Sequence, residues 1–426
     1  MLRRFISLYY GSIDSRKILL AILSLPKAFF IGANELRNQL HKQVKVSFPN
    51  SEVFSFGSAR SSITFCLKSY GIGSGDEVLV SAYTCLAVPI GIIAAGATPV
   101  YVDIDKETLN IDSQLLKKSI GENVRAIILQ HTLGKPADFT DILSIAKGKD
   151  ILVIEDCALS IGSSINGKML GSIGDAAIIS MELSKAFTCG WGGILLINNE
   201  ELKQCCIKSY AKVLDYTYAK SSKDLFQTLV SAFCHNSSVY SWLGKYIIYF
   251  GFKFKIFRRS TPAEEYIGVT SADFLRKIGH FQAGLALIQW KYFREEILKA
   301  ANIGEKIRLF LSEYGFTTPG SPNEGEMSTS PRVSFLVNNR AEASDYFFQR
   351  GIELGEWFDG PLSPEPSTPN FNYNKSFYKN AETIANHIVN LPSHLGLTIS
   401  DLDHIKTVLR DFVRDHPENI ADRNNW

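Results

Sequence analysis

No two of the seven cysteines (Cys66, Cys85, Cys157, Cys189, Cys205, Cys206 and Cys234) stand as CxxC, and none has a histidine pair nearby at ligand spacing. The usual signature of a zinc site is therefore missing, and no metal is expected. An odd number of cysteines suits reduced thiols in a cytoplasmic protein better than a disulfide framework. Neither sign of charge dominates, since 45 Lys and Arg face 43 Asp and Glu, a formal net charge of +2. So weak a field gives no reason to expect nucleic acid as a partner. Long apolar runs are missing too. The run at residues 18–25, flanked by Arg16, Lys17 and Lys27, is far short of the roughly 20 residues of a membrane span. No small-residue cleavage site follows it closely, so an amphipathic segment packed on the fold is expected rather than a signal peptide. No Gly-x-Gly-x-x-Gly follows the first apolar strand and no P-loop is present, which weighs against nicotinamide and nucleoside triphosphate chemistry.

What is present is an alternation. EVLVSA (77–82), TPVYVDID (98–105), AIILQ (126–130), ILVIED (151–156), AAIIS (176–180) and GILLIN (193–198) are short apolar runs, and the first is followed by a helix-like stretch stopped by Gly96. Strands apolar throughout suit burial on both faces, and intervening helices suit parallel crossovers. The expectation is an open α/β sheet with ligand chemistry at the carboxyl ends of its strands. A long helix is expected from Lys277 through FQAGLALIQWKYFREEILKAANIGEKIRLFL. Beyond it a small α+β domain is expected, with a strand at 331–337, a helix at 341–350 ended by Gly351, a Pro/Asn/Ser-rich loop at 361–376 and a closing helix at 399–414. The expected division is an N-terminal segment (1–50), a large α/β domain (51–300) with an insertion at about 200–265, and a C-terminal domain (301–426). Inside the insertion, VYSWLGKYIIYFGFKFKIFRR (239–259) mixes aromatics with Lys and Arg. Gly244 and Lys245 interrupt it, so it reads either as a partly buried insertion or as a weak peripheral contact with anionic lipid.

Three places along the alternation can carry chemistry. Lys185 lies just past AAIIS, in SMELSKAFTCGWGG; a lysine amine in a strand-end pocket, its pKa lowered, can form an imine with an aldehyde. Glycines 190, 192 and 193 allow close backbone approach beside it. Asp156 ends a very apolar strand, at the sheet's carboxyl edge, and alternation sends Glu155 to the opposite face. FGSARSSITFCLKSYG (56–71) is a Gly/Ser turn opening a helix, whose free N–H groups and dipole suit a phosphate, with Ser58 and Ala59 facing it. Taken singly, each has a plainer reading: a surface lysine, a helix N-cap, an N-capped helix.

Their order decides between these readings. A phosphate turn, then an aspartate at a strand end, then a lysine after the next strand is the order of fold-type I pyridoxal-phosphate enzymes. The chain resembles the DegT/StrS family of sugar aminotransferases through SFGSARSSI, GIGSGDEVLVSAYT, AAGATPVYVDID, LQHTLGKPADF, VIEDCA, GKMLGSIGDAAIIS, SK, GGILLIN, FQAGLALIQ and VNLPSHLGL, over about residues 30–410. The resemblance implies an α/β fold-type I transferase, with a mostly parallel sheet of the seven-stranded type in the large domain and a smaller C-terminal α+β domain. It implies that Lys185 carries pyridoxal 5′-phosphate as a Schiff base and that Asp156 holds the pyridine nitrogen. It makes Ser58, Ala59 and Ser180 phosphate contacts. It implies a homodimer with the site at the subunit boundary, and transfer of an amino group from glutamate to a nucleotide-linked keto sugar for a surface glycan or amino sugar.

Several positions depart from that pattern. Leu159 stands where the family has a Gln that reaches the cofactor's phenolic oxygen, and Cys85 stands where an aromatic stacks on the ring, with Tyr83 nearby but pointing elsewhere. ADFLRKIGHF replaces the family's G-x-N-x-R, leaving Lys277 at the basic position, and Glu182 stands where an aromatic is common. These departures keep open a non-catalytic, degenerate member of the family. A pyridoxal-phosphate sugar dehydratase is the other alternative, against which Lys185 counts, since those relatives generally have His there. Arg332, in SPRVSFLV, and His131, in LQHTLG, are candidates for substrate binding. The alternatives for them are a surface arginine and a structural histidine, and His394 reads as packing on its Pro turn.

Overall fold

The computed structural model describes residues 5–8, 13, 17–22, 30–236, 239–271 and 273–421. Its centre is a seven-stranded sheet of β1 (Glu52–Phe56), β2 (Glu77–Ser81), β3 (Thr98–Val102), β4 (Val124–Gln130), β5 (Leu152–Asp156), β6 (Ala176–Ser180) and β7 (Gly193–Ile197), in the order β1-β7-β6-β5-β4-β2-β3. Strands β3, β2, β4, β5 and β6 are parallel neighbours. Strand β7 runs antiparallel to both β6 and β1, so β1 points the same way as the parallel set. Six of these strands match the apolar runs in the sequence. The seventh, β1, is EVFSF, whose Glu52 and Ser55 break the apolar pattern.

Every residue of β5, β6 and β7 is buried, as expected for strands covered on both faces. One face carries α2 (Ala59–Ser69) and α3 (Ala87–Ala95), which ends at Gly96 with φ +96°. Helices α1 (Ala33–Lys45) and α6 (His280–Lys291) pack on one another over a second apolar cluster that includes Leu40, Ile179, Ile194 and Phe281. Of the apolar run at 18–25, residues 18–22 are helical, together with Lys17 before them, and the rest lies outside the described residues. Lys17 is buried there, its Nζ 2.8 Å from Gln289 Oε1 and paired with Glu296.

The insertion contains α4 (Tyr218–Cys234) and α5 (Lys245–Lys253). The single long helix expected from Lys277 is two. Helix α6 stops at Lys291, Tyr292 takes a non-helical conformation (φ −103°, ψ 3°), and α7 spans Phe293–Glu313. The break lets Trp290 and Phe293 both turn inward, their rings 4.4 Å apart, against Phe48 and Phe187. Beyond it, β8 (Arg332–Leu336) pairs antiparallel with β9 (Ile388–Pro392). With α7, α8 (Arg340–Gln349) and α9 (Ile399–Asp415) this pair encloses a core around Phe335, Phe347, Leu391 and Phe412. Helix α9 starts with a capping box between Thr398 and Asp401.

Candidate active site

Because β1, β2, β4, β5 and β6 all end at one edge of the sheet, and the opposed β7 begins there, residues far apart in sequence meet. A cavity of about 340 Å³ opens at that edge, lined by Ser58, Ala59, Cys85, Asp156, Ser180, Lys185 and Arg332 among others. Six of the seven proposed site residues are thus brought together, and only His131 is not.

Lys185 rides on a turn after β6. The Glu182 carboxylate accepts from the Ser184 N–H (2.9 Å) and hydroxyl (2.7 Å), and the Lys185 N–H donates to the Glu182 carbonyl (3.0 Å). Glu182, the departure in place of an aromatic, therefore holds the lysine's turn. Only 8% of Lys185 is exposed. Burial pushes its amine below the 10.5 of a free lysine side chain; Arg332 pushes the same way, against Cys85, Glu182 and Asp156. The neutral, nucleophilic amine is thereby favoured. Asp156, at the end of β5, is also buried and accepts from the Ala158 N–H at 2.9 Å. Burial raises its proton affinity, opposed by the Ala158 N–H, Lys185 and His131. Glu155, on the other face, accepts from the N–H groups of Gly171, Ile173 and Gly174 at 2.7 Å each. The two carboxylates thus have different duties.

Ser58 caps α2, accepting from the Ser61 N–H, so the helix's first N–H groups face the cavity edge. Opposite lies Gly193, the first residue of β7. A Cβ there would sit 2.5 Å from Ala59 N and Ser58 O. Gly193 is therefore required by the Ser58–Ala59 turn rather than by Lys185. Gly190, at φ +88°, makes room for Thr228, and only Gly192 of the three lines the cavity.

Arg332 is buried, and its guanidinium carbon lies 3.9 Å from the centre of the Trp357 ring. Lys185 Nζ lies 4.4 Å from the same ring. Trp357 was not legible as a site residue. Nor were Arg60, Arg259, Ser260, Thr261 and Tyr266, which also line the cavity. The end of the insertion is clamped there by Arg60, whose Nη2 donates to Ser260 O at 3.0 Å and whose Nε lies 2.8 Å from Glu265 Oε2. Lys277, at the family's basic position, is not among the lining residues; its Nζ lies 5.1 Å from the centre of the Tyr210 ring.

The position that lacks its aromatic, Cys85, lines the cavity with its thiol pushed up by burial. Tyr83 points away, as expected, and accepts from the Phe358 N–H at 2.9 Å, next to Trp357. Leu159 packs against the core on one side of the sheet. His131 is wholly buried. Its Nδ1 accepts from the Ala137 N–H at 3.1 Å and its Nε2 meets Glu155 Oε2 at 3.1 Å, so neither nitrogen is offered to a substrate in the cavity. This corrects its candidacy as a substrate ligand. His394 holds Ser7 O and the Gly396 N–H, a packing role.

The donors fit pyridoxal phosphate. A backbone cradle beside Ser58 and Ser180 suits the phosphate, a buried carboxylate suits a protonated ring nitrogen, and a neutral-leaning amine suits the aldehyde. Comparison with known proteins agrees. The model of the DegT/DnrJ/EryC1/StrS aminotransferase family matches residues 29–410. An uncharacterised protein of Methanocaldococcus jannaschii is 29% identical over 369 residues, 85% of this chain and 86% of its own length. The dTDP-3-amino-3,6-dideoxy-alpha-D-galactopyranose transaminase of Aneurinibacillus thermoaerophilus is 40% identical over 143 residues, which is 33% of this chain and 39% of its own length. The chain likewise spans less than half the length of other curated relatives with named products. Among solved structures, the PMP form of a putative sugar aminotransferase from Streptococcus pneumoniae superposes with a TM-score of 0.71 at 18% identity, covering 97% of this chain and all of that one. The chain belongs to the DegT/DnrJ/EryC1/StrS aminotransferase family, whose cofactor is pyridoxal phosphate.

Proposed function

We propose that this protein is a pyridoxal-phosphate-dependent aminotransferase that moves an amino group from glutamate to the keto carbon of a nucleotide-linked sugar, for a surface polysaccharide or amino sugar. The observation that carries this is the placement of Lys185 and Asp156, both buried, in one cavity at the strand ends, with the Lys185 amine shifted by burial toward its neutral, nucleophilic form. When bound, the cofactor supplies an electron sink that makes a neighbouring C–H acidic. The chain does the rest. Asp156 keeps a proton at the ring nitrogen. With the cofactor bound, Lys185 Nζ would take the proton from Cα of the amino donor and return one to the cofactor's aldehyde carbon, as base and then acid. Arg332, stacked near Trp357 in the cavity lining, is the candidate to meet a carboxylate or phosphate. Ser58, Ala59 and Ser180 would hold the phosphate; Arg259 and Thr261 line the same cavity. The relative named as a transaminase of a dTDP-linked amino sugar supports the substrate class. The proposed state is a homodimer in the cytoplasm; among the described residues, no helix is long and apolar enough to cross a membrane.

The test is borohydride reduction of the cofactor-loaded protein followed by peptide mass mapping, with a parallel sample given glutamate alone. A pyridoxyl adduct on the Lys185 peptide, lost when glutamate is added first and 2-oxoglutarate released, is the expected result. An unmodified Lys185 in excess cofactor overturns the reading and leaves a degenerate binding protein.

A further inference from the structure

The segment at 239–259 is partly buried, with Tyr240, Ile247, Ile248 and Arg258 half-covered, but one of its faces is exposed. Among its described side chains only Phe257 is buried, with Gly244 and Gly251 beside it. Gly251 touches Phe257, where an added Cβ would lie 2.3 Å from the ring, and this contact fixes how α5 sits. The inner side of α5 then presents Ile248 and Phe252 to a largely apolar cavity shared with Trp191, Thr228, Ala232 and Tyr240. Its outer side carries Tyr246, Tyr249, Phe250 and Lys253, at the i, i+3, i+4, i+7 spacing of one helix face. With Trp242 before the helix and Phe254 after it, these aromatics are 45–65% exposed. Phe254 stacks on Phe250, centroids 5.9 Å apart, and Phe250 packs edge-on to Tyr249 at 5.3 Å. The result is a continuous apolar surface turned outward, the reverse of a solvent-facing helix.

Its charge has one sign. From residue 225 to 263 the chain has no Asp or Glu. Lys245, Lys253 and Lys255 are exposed beside the aromatics. Lys245 Nζ lies 5.1 Å from the Tyr246 ring centre, and Lys253 Nζ lies 5.6 Å from that of Tyr249. Tyr and Trp interleaved with lysine suit the boundary between acyl chains and anionic headgroups. A second copy of this chain suits the surface poorly, because a two-fold contact of this stripe with itself sets lysine against lysine. We infer that Trp242, Tyr246, Tyr249, Phe250 and Phe254, with Lys245, Lys253 and Lys255, dock the enzyme on an anionic lipid surface without spanning it. The same insertion ends in Arg259–Thr261 on the wall of the cofactor cavity, so docking brings the mouth of the active site close to the bilayer. The inference is independent of the amino acceptor proposed above.

The experiment is flotation of the full-length protein with phosphatidylcholine vesicles, with and without phosphatidylglycerol, alongside sedimentation velocity in the absence of lipid. The expected result is flotation with the anionic vesicles only, weakening as salt is raised. Lys253→Gln with Lys255→Gln should lower partition about fivefold per charge removed, and Tyr249→Ser with Phe250→Ser should reduce it further. Both pairs should keep the wild-type sedimentation coefficient and thermal unfolding midpoint. Two outcomes overturn the inference. One is failure to float with anionic vesicles at low salt. The other is an assembly that dissociates on Tyr249→Ser with Phe250→Ser, which assigns the stripe to a contact between copies.

Discussion

The floor of the cofactor cavity and the outer face of the insertion break the inside–outside rule in opposite senses. At the floor, Lys185, Asp156 and Arg332 are buried among strands that are otherwise apolar. On the insertion, Tyr246, Tyr249 and Phe250 stand in solvent on a helix whose inner side has a cavity to fill. Burying a charge costs several kcal/mol unless it is paired or its proton equilibrium shifts, and exposing a contiguous apolar face forfeits about 25 cal/mol per Å² that burial would give. Each cost is borne where a ligand can offset it. On the function and the docking proposed above, a phosphate, an aldehyde and a ring nitrogen would offset the first cost, and acyl chains and headgroups the second.

The comparison breaks first at Lys185. Lys185→Ala should lower the rate of amino transfer from glutamate about 10²–10⁴-fold, the usual worth of a positioned proton carrier, while leaving flotation with anionic vesicles unchanged. A single-turnover measurement on the cofactor-loaded protein reads the first, and a lysine change that altered lipid binding instead would merge the two regions. Asp156→Asn removes the charge but keeps the shape. Loss of one charge-assisted hydrogen bond of about 1.5–3 kcal/mol predicts a fall of roughly tenfold to a hundredfold, read as the pre-steady-state rate with glutamate; a wild-type rate would mean that Asp156 does not hold the ring nitrogen.

How far the sequence foretold these regions follows from what sets each residue's place. Asp156, Ser180 and Lys185 were legible because they sit at the ends of strands whose apolar runs mark their own boundaries, and parallel strands must share a carboxyl edge. Strand β1 was not, because Glu52 and Ser55 interrupt five residues that the sheet buries only through β7. Nor was the break at Tyr292, since the apolar spacing runs on through it and only the packing of Trp290 and Phe293 selects the kink. Trp357, Arg259 and Thr261 reach the cavity through contacts with residues about two hundred or more positions away, such as Arg60 to Ser260 and Tyr83 to Phe358. Local pattern carries no trace of such contacts. His131 looked available because it follows β4 at the site edge, but Glu155 and Ala137 claim both its nitrogens.

Gly193→Ala sharpens the comparison from the structural side. A methyl 2.5 Å from Ala59 N and Ser58 O must push the phosphate turn away from β7. Overpacking of this kind typically costs about 1–3 kcal/mol. The unfolding midpoint of the cofactor-free protein should fall, and affinity for pyridoxal phosphate should fall with it. Lowered stability with unaltered cofactor affinity would mean that this turn does not hold the phosphate.

The smallest effect is a shift in a titration. Lys185 forms its adduct only through the neutral amine, so at saturating pyridoxal phosphate the rate of adduct formation should rise with pH through the lysine's pKa. Burial, and after it other groups that include Arg332, places that midpoint below 10.5. Removing a nearby positive charge makes the ammonium form easier to hold, which raises the pKa. Arg332→Gln should therefore move the midpoint upward, by less than about one pH unit because burial remains. Lys253→Gln, on the exposed stripe, should leave it in place. An unmoved midpoint in Arg332→Gln would separate Arg332 electrostatically from Lys185. A moved midpoint in Lys253→Gln would mean that the two regions are not electrically independent, as their different surroundings require.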